Sequence, residues 1–214
     1  RIGCVCGQVK FIKAHGSKTA ESENIYWKYE NFLRELESKQ GCLIGAHGPL
    51  YALRKPLFVP MPEDTIVDDF VVPMQVLAKG FEVIYEPKAI VWEETTAHIA
   101  QEKERRSRIG AGNFQSLFLL HELLSPNRGL VAFSFWSHKV IRWLAPFFLV
   151  FVFCANALLL SKNPSYLILF YVQIFLYVSA GIGKAFPTAP WFGICYYFFS
   201  MNQALLRGFF RFIY

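Results

Sequence analysis

From Lys139 to Tyr214 the chain reads KVIRWLAPFFLVFVFCANALLLSKNPSYLILFYVQIFLYVSAGIGKAFPTAPWFGICYYFFSMNQALLRGFFRFIY, and this stretch decides the architecture. It holds six basic residues (Lys139, Arg142, Lys162, Lys184, Arg207, Arg211) and no acidic one. Between them lie three uncharged runs: Trp143–Ser161 with 19 residues, Asn163–Gly183 with 21 and Ala185–Leu206 with 22. At about 1.5 Å per residue, each is long enough as a helix to cross the ~30 Å hydrocarbon core of a bilayer. A soluble core helix seldom comes as three such runs in succession, so residues 140–214 are expected to form an α-helical transmembrane region with three apolar segments. Lys162-Asn163-Pro164-Ser165 and Gly183-Lys184-Ala185-Phe186-Pro187 supply the turns between them. Tyr166, Tyr171, Tyr177, Trp191, Tyr196 and Tyr197 include candidates for interfacial belts.

Basic flanks set the orientation. His138, Lys139 and Arg142 precede the first run, which places the first half of the chain on the cytoplasmic side. Lys184 agrees with this, whereas Arg207 and Arg211 do not, since three full crossings put them outside. A re-entrant third segment or local anchoring would account for them, and both remain open. Just upstream, Gly129-Leu-Val-Ala-Phe-Ser-Phe-Trp-Ser-His-Lys139 is aromatic and moderately amphipathic. It reads equally as an interfacial helix over 129–139 and as a plain lead-in to the first span.

Composition narrows the class. With 54% hydrophobic and 18% charged residues the chain is no disordered tail, and five cysteines in 214 residues are too sparse for a disulfide scaffold. The net charge of +6 arises entirely after residue 138, because the first 138 residues carry 16 basic and 16 acidic side chains. Basic residues scattered between apolar runs flank membranes; they do not make the polar basic face that nucleic acid requires, so no nucleic-acid partner is expected. The opening is polar and strand-like, without the apolar stretch of a signal peptide.

The first half reads as mixed α/β. Cys4–Phe11 has strand character, and Asn24–Ser38 is an amphipathic helix with Tyr26, Tyr29, Leu33 and Leu36 at helical spacing. Gly41–Leu53 is a glycine-punctuated loop and strand, Asp69–Ala78 a helix, and Phe81–Tyr85 a strand closed by Pro87. Gln101–Leu124 is a long helical stretch, basic at first and then apolar.

Three places carry chemistry. Thr65-Ile-Val-Asp68-Asp69-Phe70 puts two acids at a loop-to-helix junction, where they either cap the helix or supply a carboxylate general base for an acceptor hydroxyl. Glu104-Arg105-Arg106-Ser107-Arg108-Ile109-Gly110-Ala111-Gly112 is either a solvated basic face or a diphosphate clamp. Arg105 and Arg108, three apart, share one helical face, and guanidinium forks bind phosphate oxygens bidentately. Leu43-Ile-Gly-Ala-His47-Gly48-Pro-Leu-Tyr51-Ala-Leu-Arg54-Lys55 brings small residues that let a ligand approach the backbone, and His47 there is either structural or a hydrogen-bonding partner for a sugar hydroxyl. Cys4, Cys6, Cys42 and His47 lack the paired spacing of a zinc site.

The order of these segments matters more than any one of them. Tyr26-Trp-Lys-Tyr-Glu30 is followed by Leu33-Arg-Glu-Leu-Glu-Ser38, by Gly45-Ala-His-Gly48 with Tyr51-Ala-Leu-Arg54, and by Asp68-Asp69-Phe70. Gly80-Phe-Glu-Val-Ile-Tyr-Glu86, Arg105-Arg-Ser-Arg-Ile109, and Ser137-His-Lys139 with Arg142-Trp143 complete the series. Over nearly its whole length the chain resembles the second half of membrane-bound family 2 glycosyltransferases, the group that includes cellulose, chitin, hyaluronan and poly-N-acetylglucosamine synthases. The resemblance implies the C-terminal part of a cytoplasmic GT-A catalytic domain over residues 1–128, followed by the membrane helices. It implies inverting transfer of a hexosyl group from a nucleotide-sugar donor, a UDP-sugar above all, to a glycan or lipid-linked acceptor in polysaccharide synthesis. It places the protein, with membrane lipid around it, in a bacterial inner membrane as a multi-pass chain.

By the same resemblance Asp69 matches the catalytic base and Asp68 its neighbour, while His47 and Gly48 match the loop bordering the acceptor. Arg105–Ile109 occupies the place of the family's Gln-x-x-Arg-Trp motif, with Arg108 matching its arginine and Arg105 standing where the glutamine would be. Ile109 replaces a tryptophan that lies beneath the acceptor sugar in the processive synthases, which puts long-chain processive synthesis in question. The family's Asp-x-Asp, which binds a divalent metal (Mg or Mn) and the nucleotide diphosphate, does not occur in this sequence and is expected upstream of Arg1. A chain without it would be inactive alone. The competing expectation is a non-catalytic membrane partner or remnant of such a synthase that lacks the donor site.

Overall fold

The structure is a computed structural model that describes residues 1–12, 20–46, 48–94, 99–186 and 189–214. It is mixed α/β, mostly helical, with one small sheet. Strand β1 (Ile2–Ile12) lies in the middle, antiparallel to β2 (Tyr51–Leu53) and parallel to β3 (Glu82–Glu94). The alternation of strand side chains turns Cys4 and Cys6 to the core, and both thiols are unbridged. Strand β3 does not stop at Pro87, as its sequence suggests, but runs on to Glu94. The ladder skips there: Gly7 faces Glu86 and the next residue, Gln8, faces Ile90. Pro87 sits in that irregularity, where its missing N–H costs no ladder bond.

Helix α1 (Ala20–Lys39) precedes β2, and α2 (Asp68–Ala78) precedes β3. Helix α3 (Ile99–Leu119) ends before two short 3₁₀ turns, one of which takes up His121–Leu124. The helical repeat in α1 is legible, but its buried side is not the one the apolar spacing indicates. Of that spacing Tyr29 and Leu36 are exposed and Leu33 is half-buried, whereas Glu30 is 3% and Arg34 5% exposed. The cause is a set of cations on the far side. The Glu30 carboxylate accepts hydrogen bonds from Lys139 Nζ at 3.1 Å and from Arg142 at 3.0 Å. His138 bridges Glu30 (3.3 Å) and Glu37 (2.7 Å). The second Glu37 oxygen accepts the Ile44 N–H. A buried carboxylate is tolerable only when so paired, and the acidic side of α1 therefore turns inward.

Those cations belong to one continuous helical run over Leu130–Leu159, made of α4 (Leu130–Ser134), a π-turn (Phe135–Val140) and α5 (Ile141–Leu159). The stretch 129–139 thus leads into the first apolar helix without a break. Phe135, Val140 and Trp143 bury into the same core as Leu43, Val71, Met74 and Val83, so the core crosses the divisions at 128 and 139.

Helix α6 (Pro164–Ala185) begins with Asn163 accepting the Ser165 N–H at 2.9 Å and Pro164 in the first turn, a standard start signal. Among the described residues, Leu130–Leu159 and Pro164–Ala185 are the two helices long and apolar enough to cross a membrane. Little of either is covered: Phe151 is 70% and Leu158 80% exposed, which suits lipid contact better than a soluble core. The third run expected to span does not meet the same standard. It forms α7 (Pro190–Ile213), whose Asn202, Gln203, Arg207 and Arg211 dilute its apolarity, and it packs along α3. A Cβ on Gly208 would come within 2.6–2.7 Å of the Gly110 and Ala111 backbone, so the two helices touch main chain to main chain. Phe114 and Phe147 pack on Phe209, Phe118 stacks on Phe212, and Arg211 pairs with Glu104.

Candidate active site

Gly48, Tyr51, Ile66, Val67, Asp68, Asp69, Arg105, Arg108 and Ile109 line one cleft of about 270 Å³. It lies between the start of α2, the loop before β2, and the first half of α3. Each wall has a local reason. Asp68 and Asp69 open α2, where free backbone N–H groups favour negative charge. Further along α2, Pro73 lacks the N–H that would bond the Asp69 carbonyl, and the first turn is held instead by what packs against it. Phe70 does that packing: it sits 5.9 Å from Phe135 and 5.6 Å from Trp143, centroid to centroid, and these two rings are 6.0 Å apart. Gly45, at φ +85°, makes room for Phe70, since a Cβ there would lie 2.6 Å from the ring.

Arg105 and Arg108 are exposed and share the cleft side of α3. One turn later α3 is braced against the α2 loop. A Cβ on Gly112 would meet Val67 at 2.7 Å, the Ile66 N–H bonds Gln115 at 3.0 Å, and the Gln115 amide donates to the Asp64 carbonyl at 3.1 Å. Gly110 and Gly112 thereby let α3 fit between α7 and the α2 loop.

The two acids differ. Asp68 is exposed and Asp69 half-buried. Burial pushes the Asp69 carboxyl up from its ordinary value, and the Asp68 charge adds to the rise; the backbone N–H groups of Phe70, Asp69 and Gly48 hold part of it back. Gly48 is close enough that a Cβ would stand 2.9 Å from the Asp69 carboxylate oxygen. Burial also raises the Tyr51 hydroxyl, with Asp68 and Asp69 adding to it. A half-buried carboxylate with raised proton affinity can take a proton from a hydroxyl, and the arginine pair across the cleft can hold an anion.

Of the residues singled out in the sequence, Gly48, Asp68, Asp69, Arg105 and Arg108 come together in this one cleft. His47 lies outside the described residues. Tyr51, Ile66 and Val67 also line the cleft, and in the sequence their only signal is a position beside the glycine loop or the acid pair. Gln115, which braces α3, carried none. Among the described residues no three His, Cys, Asp or Glu side chains come together as a metal cage. The two acids of the cleft do not by themselves fit a resident divalent ion. No protein-family model matches the chain, and no curated protein is significantly similar to it.

Proposed function

We propose that the chain is part of a membrane-bound, inverting glycosyltransferase of the family 2 type, with residues 1–128 contributing to a GT-A catalytic domain. The observation that carries this reading is the convergence on one cleft of three stretches far apart in sequence: Gly48–Tyr51, Asp68–Asp69 and Arg105–Ile109. By the family resemblance Gly48 borders the acceptor, Asp68 and Asp69 form the acidic pair, and Arg105 and Arg108 hold the leaving group. The donor is a UDP-sugar and the acceptor a glycan or lipid-linked hydroxyl at the cytoplasmic face. The two apolar helices seat the protein as a multi-pass chain in a bacterial inner membrane, in service of polysaccharide synthesis.

In this reading Asp69 accepts the proton of the acceptor hydroxyl as the oxygen bonds to the anomeric carbon. The bond from that carbon to the phosphate oxygen breaks on the opposite face, and its electron pair leaves with the nucleoside diphosphate. Arg105 and Arg108 stabilise the charge that develops there, a preorganised electrostatic role. Asp68 keeps the proton affinity of Asp69 raised, and the Gly48 N–H orients its carboxylate.

The test is UDP release from a panel of UDP-sugars by the full-length protein in its membrane, compared with Asp69→Asn. Loss of sugar-dependent release with unchanged membrane insertion supports the assignment; release that persists in Asp69→Asn sinks it.

A further inference from the structure

Glu30 takes no part in that chemistry, yet it is the most heavily paired acid among the described residues, held by Lys139, Arg142 and His138. All three partners lie within the π-turn or the first turn of α5. A π-turn inside an α-helix shifts the side chains that follow it and needs outside contacts to persist. Here those contacts are the Glu30 cluster on one side and, on another, the fully buried ring of Phe135 with Trp143 beside it. Both rings bear on Phe70, one peptide bond from Asp69. We propose that Glu30 is a positioning residue for Asp69: it pins His138, Lys139 and Arg142, which fixes the π-turn; the π-turn places Phe135 and Trp143; and these rings hold Phe70 and the first turn of α2. This rests on the reading of Asp69 as the base of a sugar transfer.

Among the described residues, the groups that face Asp69 are Asp68 on its own helix, Tyr51 on β2, and Arg105 and Arg108 across the cleft on α3, whereas Glu30 is bonded to Lys139, Arg142 and His138. The described contacts that link Glu30 to Asp69 run through the rings of Phe135, Trp143 and Phe70. The experiment is a double-mutant cycle on the full-length protein in membranes, with Glu30→Gln, Phe70→Leu and the pair, following sugar transfer against pH. Expected for each single variant is a fall in kcat of about ten- to hundredfold, the scale of a displacement near 1 Å, with donor KM unchanged. The acid limb of the profile moves to lower pH as Asp69 leaves its sheltered position, and the double variant loses little more than either single one. A purely structural role would lower the amount of active protein, scaling the profile without moving its limb. An unmoved limb, or losses that multiply in the pair, overturns the proposal. Where Glu30→Gln does not accumulate as folded protein, Phe70→Leu alone must move the limb. If the wild-type protein transfers no sugar, the reading of function fails instead. The positioning is then judged by carbodiimide labelling of Asp69, read by mass spectrometry: faster labelling in Phe70→Leu and Glu30→Gln supports it, and labelling equal to wild type overturns it.

Discussion

Glu30 and Asp69 are both carboxylates at the edge of the same core, and they have opposite surroundings. Burial alone would push the Glu30 carboxyl up, but Lys139, His138 and Arg142 outweigh it and hold the group well below the usual carboxylate range. Asp69 has burial and a neighbouring acid acting in the same direction, so its carboxyl sits above its ordinary value. An acid surrounded by cations holds its charge and ties segments together. An acid beside another acid is poised to exchange a proton. The difference separates a carboxylate that positions others from one that does the chemistry more sharply than sequence position does, since both lie in motifs of similar prominence.

The comparison breaks most visibly in two substitutions. Asp69→Asn is expected to lower sugar transfer by about 10²- to 10⁴-fold, the usual contribution of a positioned base, with the thermal midpoint unchanged. More than about a tenth of wild-type turnover in that variant would remove Asp69 from the role. Glu30→Ala should, beyond the loss of turnover expected for Glu30→Gln, cost ~3–5 kcal/mol of stability, because it leaves the buried Lys139 without its counter-charge. Chemical denaturation in detergent measures it, and a loss below ~1 kcal/mol would show the cluster to be solvated.

Acidification separates the two groups further. Glu30 has a lowered folded-state value, so its contribution to stability is complete above the ordinary value of 4.5 and is lost as pH falls below it towards the folded value. Asp69 has a raised folded-state value, so its term has the opposite sign: it favours the fold at pH below the ordinary 3.8 and is lost as pH rises through the folded value. On titrating downward, transfer activity should therefore fall before the fold does. Asp68→Asn should shift the activity limb to lower pH by removing the like charge, with denaturation unaffected. Coincident loss of activity and structure would erase the distinction. The smallest effect is expected at a neutral polar contact. Asn156 of α5 donates to Gln173 of α6 at 3.1 Å, and Gln173 donates to Tyr177 within α6 at 2.6 Å. Gln173→Leu should cost only about 1 kcal/mol, as interhelical hydrogen bonds among apolar helices do.

The legible and illegible parts of the molecule divide along the same line. The helical repeats of α1, α2 and α3 and the apolar length of α5 and α6 were plain in the sequence, because period and run length are local properties. The cleft was legible as a set of residues, since an acid pair at a helix start, a pair of arginines three apart and a glycine loop each keep their chemistry wherever the chain takes them. The inward face of α1 was not legible, because Tyr29, Leu33 and Leu36 offer a more apolar stripe than the face that carries the buried Glu30 and Arg34. The partners of Glu30 come more than a hundred residues later, and no period in α1 can announce them. The path of α7 was hidden for a similar reason: Gly208 looks like any small residue in an apolar run until Gly110 is found against it.

The sequence by itself determined where most helices and strands lie, that α5 and α6 are apolar enough for a membrane, and which side chains could move a proton or hold an anion. Tertiary structure alone decided that Gly48, Asp69 and Arg108 share a cleft, that α1 buries its charges, that β3 passes Pro87, and that α7 lies along α3. Period, length and functional-group chemistry are carried by neighbouring residues. Pairing of distant charges and contact of distant backbones depend on where the whole chain closes.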